Sequence, residues 1–274
     1  MKLSFTKMQG VGNDFIVIDG RKGTLPNPRK TIRRLCDRRL GIGADQVLVL
    51  KNSRKADFRM EIFNADGTEA EMCGNGLRAI ARYIKDQKLS SKPALKVETR
   101  AGVQRVELQE RNRYRVDMGE PILKGKLIPV NLAGRVINRP IRVDGKVFRI
   151  TCVSMGNPHC IVCVDNLKEF PIALYGPMLE KHHLFPKRTN VEFVRVLGPH
   201  EIEMRVWERG AGETLACGSG ACAAVVASAM NSLTDRRVDV KLTGGTLQIE
   251  WPREDNHVYM TGPAETVFKG EIEI

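Results

Sequence analysis

The chain has 274 residues, enough for two ordinary domains or one large one, and its 42% hydrophobic and 28% charged content is that of a globular protein. No apolar run reaches the length of a membrane span, and seven cysteines are too sparse for a secreted disulfide scaffold. The net charge of +12 invites a nucleic-acid reading, but aromatics are only 5% and no nucleic-acid motif is present, so the basic residues are read as a solvated surface.

In chain order, residues 3–19 read as apolar strand stretches broken at Gly10 and Gly12. Residues 28–40 predict a helix: Ile32, Leu35, Cys36 and Leu40 fall near helical spacing and Gly41 stops it. Residues 46–50 and 59–63 are short apolar strands, followed by a turn at Asp66-Gly67. Beyond Cys73, Leu77, Ile80, Ala81 and Ile84 make an apolar stripe, with Arg78, Arg82 and Lys85 as the polar face. Residues 103–108, 114–118, 147–153 and 238–242 are β-branched strands, and Asp144-Gly145 and Gly244-Gly245 read as hairpin turns. Residues 221–230 are small and apolar almost all round, the pattern of a helix enclosed by a sheet.

The chain also repeats itself. Cys73 lies in MCGNG and Cys217 in ACGSG, a separation of 217 − 73 = 144. The same shift carries Gly12-Asn13 onto Gly156-Asn157, Gln46 onto Asn190, Asn64 onto Glu208 and Glu69 onto Glu213. Further on it becomes 143, carrying Gly102 onto Gly245 and Gly119 onto Gly262. Two domains are therefore expected, 1–118 and 119–262, with 263–274 returning to the first.

Each repeat-matched cysteine precedes a glycine-rich turn and then a helix. Free N–H groups and the helix dipole there favour a thiolate and form a cradle for a carboxylate. A single Cys-Gly pair would be read as a buried structural cysteine; two in register across a repeat point to paired reactive thiols, able to invert a stereocentre from opposite faces. Asn13, Gln46 and Asn64 in one half, and Asn157, Asn190 and Glu208 in the other, are read as the lining of one cleft, with Arg209 as a planar fork for a carboxylate. His159 follows Gly156-Asn157-Pro158 and is either part of this lining or a turn residue. Cys160 and Cys163 have CxxC spacing, but in a strand such residues point to opposite faces and no second pair completes a zinc set. No metal site is read. Cys36, Cys152, Cys160, Cys163 and Cys222 are assigned to the core, and His182-His183 to the surface.

The runs GNDF from Gly12, FNADGTEAEMCGNG from Phe63, GNPH from Gly156 and WERGAGETLACGSGACAA from Trp207 carry an end-to-end resemblance to the diaminopimelate epimerase family. Gln9 departs from it, standing where a histidine is common. The resemblance implies an α/β (α+β) fold of two pseudo-symmetric domains, each a mostly antiparallel barrel-like sheet around a central helix. It implies an epimerase without pyridoxal phosphate, metal or other cofactor, interconverting LL- and meso-diaminopimelate in lysine biosynthesis. It further implies a cytoplasmic homodimer, which fits the absence of an apolar N-terminal leader. By the same resemblance Cys73 and Cys217 are the acid/base thiols, His159 and Glu208 hold the reacting amino group, and Gly74-Asn75 and Gly218-Ser219 stabilise charge on the α-carboxylate. Asn64, Asn157, Asn190 and Arg209 would hold the distal end, with Asn13 and Gln46 lining the site. Which thiol serves which isomer stays open. A two-thiol proline or hydroxyproline epimerase is the nearest rival, but a ring substrate offers no second carboxylate for Arg209.

Overall fold

The computed structural model describes residues 2–21, 23 and 25–274, and is mixed α+β, mostly sheet, with four α-helices among those residues. The chain forms two compact units. One extends to Asp117 and takes in Thr261–Ile274; the other is Met118–Met260.

In the first unit, β1 (Lys2–Gly10) and β2 (Asn13–Asp19) form a hairpin, and α1 (Pro28–Cys36) leads to β3 (Gln46–Lys51), parallel to β2. Antiparallel β4 (Phe58–Asn64) follows, with the short β5 (Glu69–Ala70) beside it. Then come α2 (Gly74–Asp86), β6 (Ala94–Thr99) parallel to β4, and the antiparallel β7 (Gly102–Leu108) and β8 (Arg113–Asp117). Helix α2 packs on β1, β2, β3, β4, β7 and β8, so the sheet curves around it. Leu77, Ile80 and Ile84 are wholly buried there, and each contributes roughly 1.5–3 kcal/mol by leaving water.

The second unit repeats the plan. A hairpin of β9 (Arg139–Val143) and β10 (Lys146–Ser154) leads into β11 (Pro158–Cys163), antiparallel to β10. Helix α3 (Ile172–Glu180) precedes β12 (Asn190–Gly198), parallel to β11, and antiparallel β13 (Glu201–Glu208) follows with β14 (Gly212–Thr214) beside it. Helix α4 (Gly218–Met230) packs on β10, β11, β12, β13, β15 (Arg237–Leu242) and β16 (Gly245–Glu250). The chain then passes through β17 (Tyr259–Pro263) into β18 (Glu265–Glu273), which pairs antiparallel with β1 in the first unit.

The internal repeat is kept residue by residue in the ladders. Phe15 pairs with Gln46 and His159 with Asn190; Val47 pairs with Phe63 and Val191 with Trp207; each position moves by 144. Beyond the helices Val97 pairs with Gln104 and Val240 with Leu247, a shift of 143. The two helices still differ by 144, as do the bonds closing them, Leu89 N–H to Ile84 O and Leu233 N–H to Ser228 O. The one-residue difference therefore falls between those closures and the next strands, in residues 90–93 of one unit and 234–236 of the other.

Several expectations are corrected. Helix α1 ends at Cys36 rather than Leu40, because the Asp37 carboxylate takes the N–H groups of Arg39 and Leu40 away from the helical ladder. Arg78 is completely buried rather than on a polar face, since the sheet surrounds the start of α2; its Nε donates to Pro263 O at 3.2 Å. The β15–β16 turn is Thr243-Gly244, one residue early, because Leu242 pairs with Gly245. Cys163 is exposed, at the end of β11 and opposite in direction to buried Cys160. Asp144 and Gly145, both at positive φ, do form the tight β9–β10 turn. Among the described residues no helix is long and apolar enough to cross a membrane.

Candidate active site

The first unit places Cys73 as the N-cap of α2, in extended conformation, with its Sγ accepting the Gly76 N–H at 3.3 Å. Sulfur here does what a Ser or Asp oxygen does at an ordinary cap. Gly74 and Asn75 supply the first two N–H groups of the helix, which have no intrahelical partner and point toward any anion bound there. Asn13, at the start of β2, brings its Oδ1 to 4.0 Å from the Cys73 sulfur and accepts from Asn75 Nδ2 at 3.3 Å. Gln46 and Asn64 are cross-strand partners, and Gln46 Nε2 donates to Asn64 Oδ1 at 3.0 Å. Asn64 in turn donates to Thr68 Oγ1, which is held by Asp66.

A charged network missed by the sequence reading fixes Asn13. Its Nδ2 donates to Asp45, whose carboxylate also meets Arg38; Arg38 binds Asp14 bidentately, and buried Lys7 reaches Asp14 at 2.6 Å. Burial pushes the Asp14 carboxyl up, but the hydrogen bonds from Arg38 and Lys7 outweigh it and bring the pKa down to about 2. The acid following Asn13 in GNDF was the available signal.

In the second unit Cys217 caps α4 in the same way, its Sγ accepting the Gly220 N–H at 3.4 Å and lying 3.5 Å from Ser219 Oγ. Gly218 and Ser219 give the first N–H groups of that helix. Asn157, on the turn before β11, lies 3.0 Å from His159 Nε2, and the other ring nitrogen, Nδ1, lies 2.7 Å from Glu192 Oε1. Asn190 lies beside His159 in the β11–β12 ladder; it donates to Pro158 O at 2.9 Å and accepts the Arg209 N–H at 2.9 Å. Glu208, at the end of β13, accepts from Thr214 Oγ1, and exposed Arg209 donates to Lys187 O. His159 is therefore not an open turn residue: it is wholly buried at the base of this group.

The thiol of Cys217 sits in an electrostatic setting that the sequence does not show. The sequence reading expects the helix N-terminus to favour a thiolate at both. For Cys217, burial comes first, then the negative charges of Glu208 and Glu192; together they push the thiol well above its usual range, outweighing the lowering by Ser219 and the Gly220 N–H. Glu192 and Glu180 are the other residues missed. Glu180, 4% exposed on α3, accepts from Trp207 Nε1 at 2.9 Å and from the Gly210 N–H at 3.1 Å, pinning the turn that carries Glu208 and Arg209.

The family model for diaminopimelate epimerase matches residues 5–124 and 151–267. Diaminopimelate epimerases from Acetivibrio thermocellus and Pelotomaculum thermopropionicum are 49% and 52% identical, each alignment covering 98–99% of both chains. Among solved structures, a probable proline racemase from Agrobacterium radiobacter shares the fold at a TM-score of 0.72 with 13% identity, covering 99% of this chain and 92% of its own. A phenazine biosynthesis protein of the PhzF family from Bacillus anthracis does so at 0.70 with 18% identity, over the full length of both chains. The motifs around both thiols, the near-complete coverage and the level of identity place this chain in the diaminopimelate epimerase family, among the isomerases.

Proposed function

We propose that the protein interconverts LL- and meso-diaminopimelate with Cys73 and Cys217 as its acid/base pair and with no cofactor. The observation that carries this reading is the repetition of one device: at two positions 144 residues apart, a cysteine caps a buried helix with its own sulfur. The α-proton of an amino acid is weakly acidic, so the carbanion has to be stabilised as it forms. The leading N–H groups at Gly74-Asn75 and Gly218-Ser219 suit a carboxylate on which charge builds. The burial of Cys217 beside Glu208 and Glu192 supports a resting state in which this thiol carries its proton, and which thiol serves which isomer stays open. His159 and Glu208 then serve the reacting amino group. Asn64, Asn157, Asn190 and Arg209 hold the distal amino-acid end, and Asn13 and Gln46 complete the lining.

By the same reading the protein is a cytoplasmic homodimer working in lysine biosynthesis. The test is proton exchange in D₂O. Reduced protein incubated with LL-diaminopimelate should yield the meso isomer with deuterium at the inverted α-carbon, followed by NMR and chiral separation. Folded protein with free thiols that gives neither deuterium nor meso product would overturn the substrate assignment.

A further inference from the structure

The repeat sets a natural comparison for Glu192. Subtracting 144 from His159 and Glu192 gives Phe15 and Leu48, and all four side chains are wholly buried at matched register positions. The first unit thus fills this space with two apolar groups. The second fills it with an imidazole and a carboxylate joined at 2.7 Å. Replacing a buried ionic pair by apolar side chains is often neutral or stabilising, and this chain contains the apolar solution. Packing alone therefore does not account for the polar pair.

Its surroundings point to the thiol. Glu192 Oε1 is 2.7 Å from where a Cβ on Gly220 would stand, and Cys217 Sγ is 3.3 Å from the same point. In the first unit the three atoms nearest the corresponding point on Gly76 belong to Leu48 and Cys73, with no carboxylate among them. The other carboxylate oxygen of Glu192, Oε2, is buried and makes no hydrogen bond within the protein. The titratable groups facing Glu192 are His159 and Cys160 on β11 and Cys217 at the start of α4, with Glu208 of β13 facing Cys217 from its own side.

We propose that Glu192 is a positioning residue for the epimerisation: its carboxylate accepts the His159 Nδ1–H and so fixes the ring, turning Nε2, which lies 3.0 Å from Asn157 Oδ1 and donates to it, toward the substrate, and it does so on the Cys217 side only. The proposal rests on the functional reading above. A carboxylate is the strongest partner available for a ring N–H and keeps a proton on the nitrogen it faces. Its charge also adds to that of Glu208 in keeping the neighbouring thiol protonated.

The test uses Glu192→Leu, which installs the side chain that the other unit already packs at Leu48. With ¹⁵N-labelled histidine, the wild type should show a proton on His159 Nδ1, the nitrogen 2.7 Å from Glu192 Oε1. The variant should lose that signature, drop in kcat by about tenfold or more, the scale of one lost hydrogen bond to a charged group, and shift the alkaline limb of its pH–rate profile to lower pH, because a negative charge beside Cys217 is gone. A wild-type His159 bearing its proton at Nε2 alone would overturn the proposal without any variant. So would Glu192→Leu with unchanged kcat, pH profile and ring signals. If the wild type itself fails to exchange the α-proton of diaminopimelate, the functional reading falls, and the ring spectra still decide whether Glu192 holds His159.

Discussion

The two units share a ladder plan and a capped helix, yet they surround their thiols differently. Around Cys73 the equivalent asparagine is tied to a network of charges, Asp45, Arg38, Asp14 and Lys7, with Phe15 and Leu48 filling the interior. Around Cys217 the asparagine is tied to His159, and the interior holds the His159–Glu192 pair, with Pro158 where the first unit has Asp14. At the positions held by Phe15 and Leu48 the first unit is therefore apolar, where the second carries an imidazole and a carboxylate. The lesson is that a duplicated framework fixes where a thiol stands, while a few interior substitutions change which side chains surround it.

The largest effect expected from breaking the comparison comes from the thiols. Cys73→Ser and Cys217→Ser should each lower turnover by about 10³-fold or more, because a hydroxyl is a far poorer base and acid at neutral pH than a thiol. Chiral assays that find either variant near the wild-type rate would remove the two-thiol mechanism. Next come the matched glycines. A methyl at Gly220 would press on Glu192 Oε1 at 2.7 Å, whereas at Gly76 the nearest contact is Leu48 Cδ2 at 3.2 Å. Gly220→Ala should cost about 2 kcal/mol and Gly76→Ala clearly less, by chemical denaturation. Equal costs would mean that Glu192 yields easily and is not pinned by His159.

The Asp14 network should make a contribution of similar size with a pH signature. The folded carboxyl sits at about 2 against an ordinary 3.8, so its contribution of about 2 kcal/mol is complete above the ordinary value and fades as pH falls through about 2. Asp14→Asn should be destabilised by that amount at neutral pH, and the gap to wild type should close on acidification. A gap that does not vary with pH would assign the loss to packing. The smallest effect is expected at Cys163: being exposed, its replacement by Ser should change stability by less than about 0.5 kcal/mol and leave turnover intact.

Much of the architecture was legible because its signals are local or repeated. Alternating and β-branched runs mark strands, and the 144-residue shift anticipates the ladder registers. What stayed hidden depends on surroundings that sequence periodicity does not carry. Arg78 falls on the polar side of α2 by spacing, but the curved sheet leaves that side no solvent at the helix start. Glu192 lies inside the apolar run NVEFV, where alternation alone gives no reason to read an acid as half of a buried pair. Adding 144 to Leu48 would have exposed the substitution of an acid for a leucine. The state of Cys217 was out of reach for the same reason: a helix N-terminus is visible in sequence, but the burial and two carboxylates that override it are not.

The single-residue difference between the units lies in residues 90–93 and 234–236, after the helices are closed and before the next strands begin. Had it fallen inside β6 or β15, every later side chain would have changed face. Nature has thus already run an insertion experiment on this molecule, and the result marks a segment where chain length is free. A lanthanide tag or fluorophore-bearing loop grafted at residues 90–93 should leave both thiol-bearing helices and the ladder registers in place, giving a fixed beacon from which movements of the side chains around Cys73 could be timed.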